Sequence, residues 1–170
     1  MDSRKYLSPD ERDHLETMLR MRIETDRRNA CMLLFSLFSG ARASEVLAVT
    51  WLDLDLETGE TFIKSLKKGK PRSIVIPKFL RDAMKRLRHE SPEKPFPISY
   101  QRMAEIWRDY RPCRKPLHCL RHTFAMHAYD RTKDIRFVKS ALGHRNIQNT
   151  MVYADHAYST AEFRKLMRVR

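Results

Sequence analysis

Residues 26–40, DRRNACMLLFSLFSG, are apolar around most of a helical circumference once the first turn is past. A helix with one dry face lies on a surface, whereas a helix dry on nearly every side must be surrounded. The segment therefore predicts a central helix with other helices packed around it. Gly40 ends it, because glycine accepts the left-handed conformation that closes helices. At 170 residues the chain has the length of one ordinary domain, enough to bury about 70% of its unfolded surface. A single core built on this helix is expected.

The rest of the chain supplies its neighbours. In YLSPDERDHLETMLRM, Ser8 is the expected N-cap, Pro9 lies in the first turn, and Leu15, Met18 and Leu19 follow at helical spacing. A short helix begins near Ala43. LDLDLETGETFIKSLKKGKPRSIVIP then changes character: β-branched residues broken by Thr58-Gly59 and by residues 69–71 predict an antiparallel sheet of two or three strands, with a basic hairpin tip at residues 67–70. Helical patterning returns at Lys78, is interrupted by the proline-rich HESPEKPFPIS, and continues over 99–110, 117–129, 134–142 and 146–154. A last amphipathic piece, STAEFRKLMRVR, carries Phe163, Leu166 and Met167 on one face. The expected class is mainly α with a small antiparallel β-sheet (α+β), as one domain over 1–170.

Charge points to a partner. Thirty-four Lys and Arg against twenty-one Asp and Glu leave a net charge of +13, spread along the whole chain, which favours an extended anion, nucleic acid ahead of membrane. No apolar run approaches the ~20 residues of a membrane span, and MDSRKYLSPDERDHLE lacks the apolar centre of a signal peptide. A cytoplasmic, DNA-associated chain with no membrane partner is expected. Cys31, Cys113 and Cys119 form no CxxC pair, so neither a disulfide framework nor a zinc knuckle is indicated.

Four places set cations or polar groups into otherwise structural patterns. Arg42 follows the Gly40 break, from which a guanidinium can reach into a cleft; by itself it reads more readily as a helix-flanking surface residue. KSLKKGKPRS crowds four lysines and Arg72 onto one turn. A lysine ammonium there can protonate a departing alkoxide, although most lysines of such a turn are simply solvated. In LHCLRHTFAMHA, His118, Arg121 and His122 stand at i, i+3 and i+4, so an imidazole and a guanidinium can converge on one anion. Zinc is not indicated, since Cys119 stands where a zinc protease carries Glu and no third ligand is suitably spaced. Finally, SALGHRNIQNTMVYADH places His144 after Gly143 and, nine residues on, Tyr153 on the helix 146–154, which looks solvent-facing at first and by itself reads as a half-buried aromatic before a nucleophile.

Two arginines, a lysine, two histidines and a tyrosine can be drawn from these spots as one set, with no obligatory carboxylate, metal or cofactor. That inventory suits attack of a phenolate on a phosphodiester. A free tyrosine has a pKa of ~10, so its hydroxyl needs a proton acceptor or neighbouring cations. Arginines grip non-bridging oxygens, and their donors strengthen as charge builds on phosphorus. The phosphotyrosyl ester keeps the bond energy, so the strand can be rejoined without ATP.

These stretches resemble the tyrosine recombinases, also called phage integrases. SGARASEVLAVTWLDLD is similar to the family's first arginine box, KKGKPR to its β-hairpin lysine turn, HCLRHTFA to its His-x-Leu-Arg-His box, and LGHRNIQNTMVYADH to its Leu-Gly-His and nucleophile box. The resemblance covers nearly the whole chain. It implies Arg42 and Arg121 as phosphate-binding arginines, His118 as a proton-transfer and positioning residue, His144 as a donor to the scissile phosphate and Tyr153 as the nucleophile. It implies Lys67 as the general acid for the 5′-hydroxyl leaving group; because RSIVIP is two residues longer than the usual arginine-to-proline segment, Lys68 and Lys70 stay open as alternatives. Glu45 is expected to orient Arg42 or the helix around it, and His122 to support the nucleophile region. Lys64, Lys68, Lys70, Arg72 and Arg145 are the expected DNA-binding cations.

The implied activity is site-specific recombination through a 3′-phosphotyrosyl intermediate, without metal or ATP. Its partners would be a double-stranded DNA recombination site, further copies of the chain (a tetramer on DNA, a monomer or dimer when free) and accessory DNA-bending proteins. AEFRKLMRVR is expected to dock on a neighbouring protomer. The family's core-binding and arm-binding domains are expected to be absent from this chain. Two alternatives stay open: strand cleavage and rejoining like that of a type IB topoisomerase, and a non-catalytic DNA-binding regulator.

Overall fold

The computed structural model describes residues 5–66, 69–154, Arg164 and Met167. Ser8 caps α1 (Pro9–Arg22): its hydroxyl accepts from the Glu11 N–H at 3.2 Å, and the Glu11 carboxylate accepts from the Ser8 N–H at 2.8 Å. This reciprocal pair satisfies donors that a helix start leaves open. Lys115 reaches the same carboxylate at 2.5 Å and ties the cap to a distant loop.

The dry segment forms α2 (Arg27–Ser39), in which Ala30 through Phe35 are completely buried. It packs against α1, α4 (Lys78–Glu90) and α6 (Cys119–Thr132), which is why a helix apolar on nearly every side is stable here. Truncating Leu33 to alanine should cost about 2–5 kcal/mol. Gly40 closes α2 at φ 59°, and a β-carbon there would lie 2.3 Å from the Phe124 ring. Two constraints, backbone and contact, therefore select glycine.

After α3 (Ala43–Ala48) and a 3₁₀ turn at Trp51–Asp53, β1 (Glu60–Ile63) and β2 (Arg72–Val75) pair antiparallel, with Glu60 opposite Val75 and Ile63 opposite Arg72. Among the described residues the sheet has two strands, and a bridge between Leu54 and Thr61 extends it. Lys67 and Lys68 lie outside the described residues, as does most of the C-terminal amphipathic piece. The proline-rich loop before α5 (Tyr100–Tyr110) sends Phe96 into the core, 5.9 Å from the Phe35 ring.

The architecture is thus mainly α with a small antiparallel sheet. Among the described residues, no helix is long and apolar enough to cross a membrane. Behind α6 a smaller apolar cluster joins Ala125, Met126 and Tyr129 to Val138 and Leu142 of α7 (Ile135–Leu142) and to Tyr153. The helix expected over 146–154 is shorter: α8 spans Gln148–Met151. Beyond it the Tyr153 and Ala154 N–H groups donate to the Thr150 and Met151 carbonyls at 3.0 and 2.8 Å. These i→i+3 bonds tighten the chain into turns, so Tyr153 sits in a turn after the helix.

Candidate active site

One buried carboxylate organises the cations. Glu45, 2% exposed, accepts from the Arg42 backbone N–H at 2.9 Å, from Arg42 Nη1 at 2.9 Å and from Arg72 Nη2 at 3.0 Å. Arg121 Nη1 stands 3.9 Å away. Burial alone would raise the Glu45 pKa, but the Arg42 amide and the Arg72 and Arg42 guanidinium groups hold it below the ordinary carboxylate value. Three guanidinium groups around one carboxylate leave the site strongly positive.

Arg121, 3% exposed, spans the site. Its Nη1 donates to the Gly40 carbonyl at 2.7 Å, and its Nη2 donates to the Leu142 carbonyl at 2.8 Å. The ends of two helices, α2 and α7, thereby fix one guanidinium. Burial first, then Arg42 and Arg72, pull its pKa down to about 10, still a cation at neutral pH. Nη2 also lies 3.0 Å from His144 Nε2, while His144 Nδ1 lies 2.9 Å from the Thr150 hydroxyl. Burial and the same three arginines lower the His144 pKa to about 4, so this imidazole is neutral.

One residue further along α6, His122 Nδ1 is 2.8 Å from the Tyr153 hydroxyl. His118, at the N-cap of α6, meets the His122 ring edge-on with centroids 4.8 Å apart. It also lines a pocket of about 210 Å³ shared with Arg42 and Arg121. Burial, then His118 and Arg121, lower the His122 pKa to about 4. Tyr153 is 3% exposed, which overturns the reading of a solvent-facing tyrosine: its ring completes the α6–α7 cluster. Burial raises the phenol pKa above 10 while Arg121 and Arg42 oppose the rise.

The hairpin is clamped to this site. The Lys70 N–H donates to the Gly143 carbonyl at 2.9 Å. Arg72 Nε donates to the Ala141 carbonyl at 2.6 Å. A β-carbon at Gly143, whose φ is 65°, would lie 2.4 Å from the Lys70 carbonyl oxygen, and one at Gly69 would lie 3.5 Å from Arg42 Nη1. Close backbone approach thus brings the turn down beside the arginines.

A model of the phage integrase family matches residues 5–160. The chain belongs to the phage integrase family. The tyrosine recombinase XerA of Thermococcus onnurineus (strain NA1) is 27% identical to it over 157 residues, covering 84% of this chain and 56% of that protein. The TnP I resolvase of Bacillus thuringiensis is 29% identical over 146 residues, covering 78% and 51%. The chain therefore spans about half the length of these curated relatives. Its fold superposes on the catalytic domain of bacteriophage HP1 integrase with a TM-score of 0.69 at 25% identity, covering 95% of this chain and 93% of that one.

In this integrase-family chain the sequence-predicted residues divide. Arg42, Glu45, Arg121 and His144 converge, and His118, His122 and Tyr153 form a second group joined to them through α6. Arg72, expected to face DNA, is corrected: it is 7% exposed, because its position on β2 points inward to the buried Glu45 carboxylate. Lys64 pairs with Asp53 at 2.8 Å. Lys70 and Arg145 are exposed, whereas Lys67 and Lys68 lie outside the described residues. Thr150, 0% exposed against His144, escaped the sequence reading. Its one signal was a polar residue a single helical turn before Tyr153.

Proposed function

We propose that this domain is a site-specific DNA recombinase that cleaves and rejoins strands through a 3′-phosphotyrosyl intermediate. The supporting observation is a tyrosine hydroxyl 2.8 Å from a neutral histidine, beside three arginines that a single carboxylate cannot neutralise. Arg42 and Arg121 hold the non-bridging oxygens of the scissile phosphate, and His144 donates to the same group. Tyr153 Oη attacks phosphorus and forms the P–O bond as the bond to the 5′ oxygen breaks. The phenol proton passes to His122 Nδ1, with His118 beside it carrying the proton onward. Lys67 supplies the proton that leaves with the 5′-hydroxyl. In the reverse step a 5′-hydroxyl from another strand attacks the phosphotyrosyl ester and restores Tyr153.

The partner is double-stranded DNA at a recombination site, met by exposed cations such as Lys70 and Arg145. A net charge of +13 makes the affinity strongly salt-dependent. Strand exchange needs further copies of the chain, and a tetramer on DNA, with accessory bending proteins, completes the proposal.

The test uses a pool of nicked suicide duplexes randomised around the nick, mixed with the protein and resolved under denaturing conditions. A covalent adduct mapped by mass spectrometry to Tyr153, and lost in Tyr153→Phe, is the expected result. No adduct from the pool, or an adduct that persists in Tyr153→Phe, overturns the assignment. Exchange between two recovered sites, as against relaxation of a supercoil, separates recombination from topoisomerase action.

A further inference from the structure

Thr150 joins the two halves of the site. Its hydroxyl lies 2.9 Å from His144 Nδ1, its N–H donates to the Ile147 carbonyl at 2.7 Å, and its carbonyl accepts from the Tyr153 N–H at 3.0 Å. The residue is completely buried. One side chain thus orients the imidazole while the same residue's backbone begins the turn that carries the phenol.

The hydrogen-bond roles follow from the partners. A guanidinium can only donate. With Arg121 Nη2 at 3.0 Å from His144 Nε2, Nε2 bears the lone pair and Nδ1 bears the proton of the neutral ring. Thr150 Oγ1 therefore accepts. A phosphodiester oxygen, by contrast, can only accept. For Nε2 to donate to one, the ring proton must move to Nε2, and Nδ1 must then receive a hydrogen bond. A threonine hydroxyl serves both states by rotating about its C–O bond, since it carries one donor and two acceptor lone pairs.

We propose that Thr150 is a positioning residue that holds His144 in the Nδ1–H tautomer when the site is empty and in the Nε2–H tautomer when an oxyanion displaces Arg121 from Nε2. The proposal rests on the phosphodiester reading above. The depressed His144 pKa of about 4 matters because a neutral ring has one proton to place, whereas an imidazolium would donate from both nitrogens and need no such partner. Valine, close in shape to threonine, offers Nδ1 neither a donor nor an acceptor; serine offers both.

The experiment is nitrogen-15 NMR of the histidine-labelled protein, with the His144 signals assigned by their absence in His144→Gln, and with orthovanadate as the oxyanion probe. The free protein is expected to show the Nδ1–H tautomer, and saturating vanadate the Nε2–H tautomer. Thr150→Val should weaken vanadate binding about tenfold, the worth of one hydrogen bond to a polar ring. Thr150→Ser should restore it. An Nε2–H tautomer in the free wild-type protein, a wild-type tautomer that vanadate leaves unchanged, or an undiminished vanadate response in Thr150→Val overturns the proposal. The wild-type spectra decide even if the valine variant does not fold. Adduct formation at Tyr153 with no tautomer change rejects the Thr150 role and leaves the functional reading standing. A tautomer change with no adduct does the reverse.

Discussion

The arginine side and the tyrosine side of the site are held in different ways. Arg42, Arg72 and Arg121 are fixed by a buried carboxylate and by carbonyls at the ends of α2 and α7, next to the largely buried helix at the centre of the main core. Tyr153 belongs to the smaller cluster, follows a four-residue helix and has its hydroxyl on one histidine. A group that must present preset donors to a developing charge gains from rigidity. A nucleophile that must travel to phosphorus gains from an attachment that is cheap to break. The contrast therefore matches the two tasks proposed for the two sides.

Glu45→Gln should disturb the arginine side most. Removing a buried partner leaves guanidinium groups uncompensated, at a cost of about 3–5 kcal/mol, measured by equilibrium denaturation. A loss below about 1 kcal/mol, the value of an exposed pair, would show that the carboxylate is not the organising centre. Gly143→Ala comes next. With φ at 65° and a β-carbon 2.4 Å from the Lys70 carbonyl oxygen, it should cost about 1–3 kcal/mol of backbone strain and lower the melting temperature. It should also slow adduct formation, because the hairpin must retreat; a variant with wild-type melting and rate would refute the clamp.

Acid sharpens the comparison further. His122 and His144 have folded-state pKa values of about 4 against an ordinary 6.5. The unfolded chain therefore binds more protons between those values, and stability present above about pH 6.5 declines as the pH falls toward about 4. Urea midpoints measured down this range should decrease, and the slope should flatten in a His122→Gln, His144→Gln double variant. The smallest effect belongs to Tyr153→Phe, which removes one hydrogen bond and keeps the packed ring. Its cost should be about 0.5–1.5 kcal/mol, and thermal melts that showed a larger loss than Glu45→Gln would invert the contrast between the two sides.

Much of the scaffold was legible because its signals are local. The dry circumference of residues 26–40, the Ser8 and Glu11 cap, Gly40 and the prolines each act within a turn or two of themselves. Arg42, Arg121, His144 and Tyr153 were nominated by type and spacing. Arg72 was misplaced because it reads as one more cation of a basic turn, while the group that draws it inward, Glu45, lies 27 residues away. Tyr153 looked exposed, or at most half-buried, because its covering residues come from α6 and α7, which nothing around it in sequence announces. Thr150 went unnoticed because a buried threonine is unmarked until the imidazole it serves is seen.

The sequence by itself determined the central helix, the helical majority with its small sheet, and the cations and phenol available to the chemistry, since periodicity, caps and residue type are properties of short stretches. Only the tertiary structure decided which arginine became a buried brace, which histidine met the tyrosine hydroxyl and which threonine met His144. Those outcomes depend on burial, and burial depends on distant segments: a charge taken out of water must find its partner wherever the fold brings one within about 3 Å.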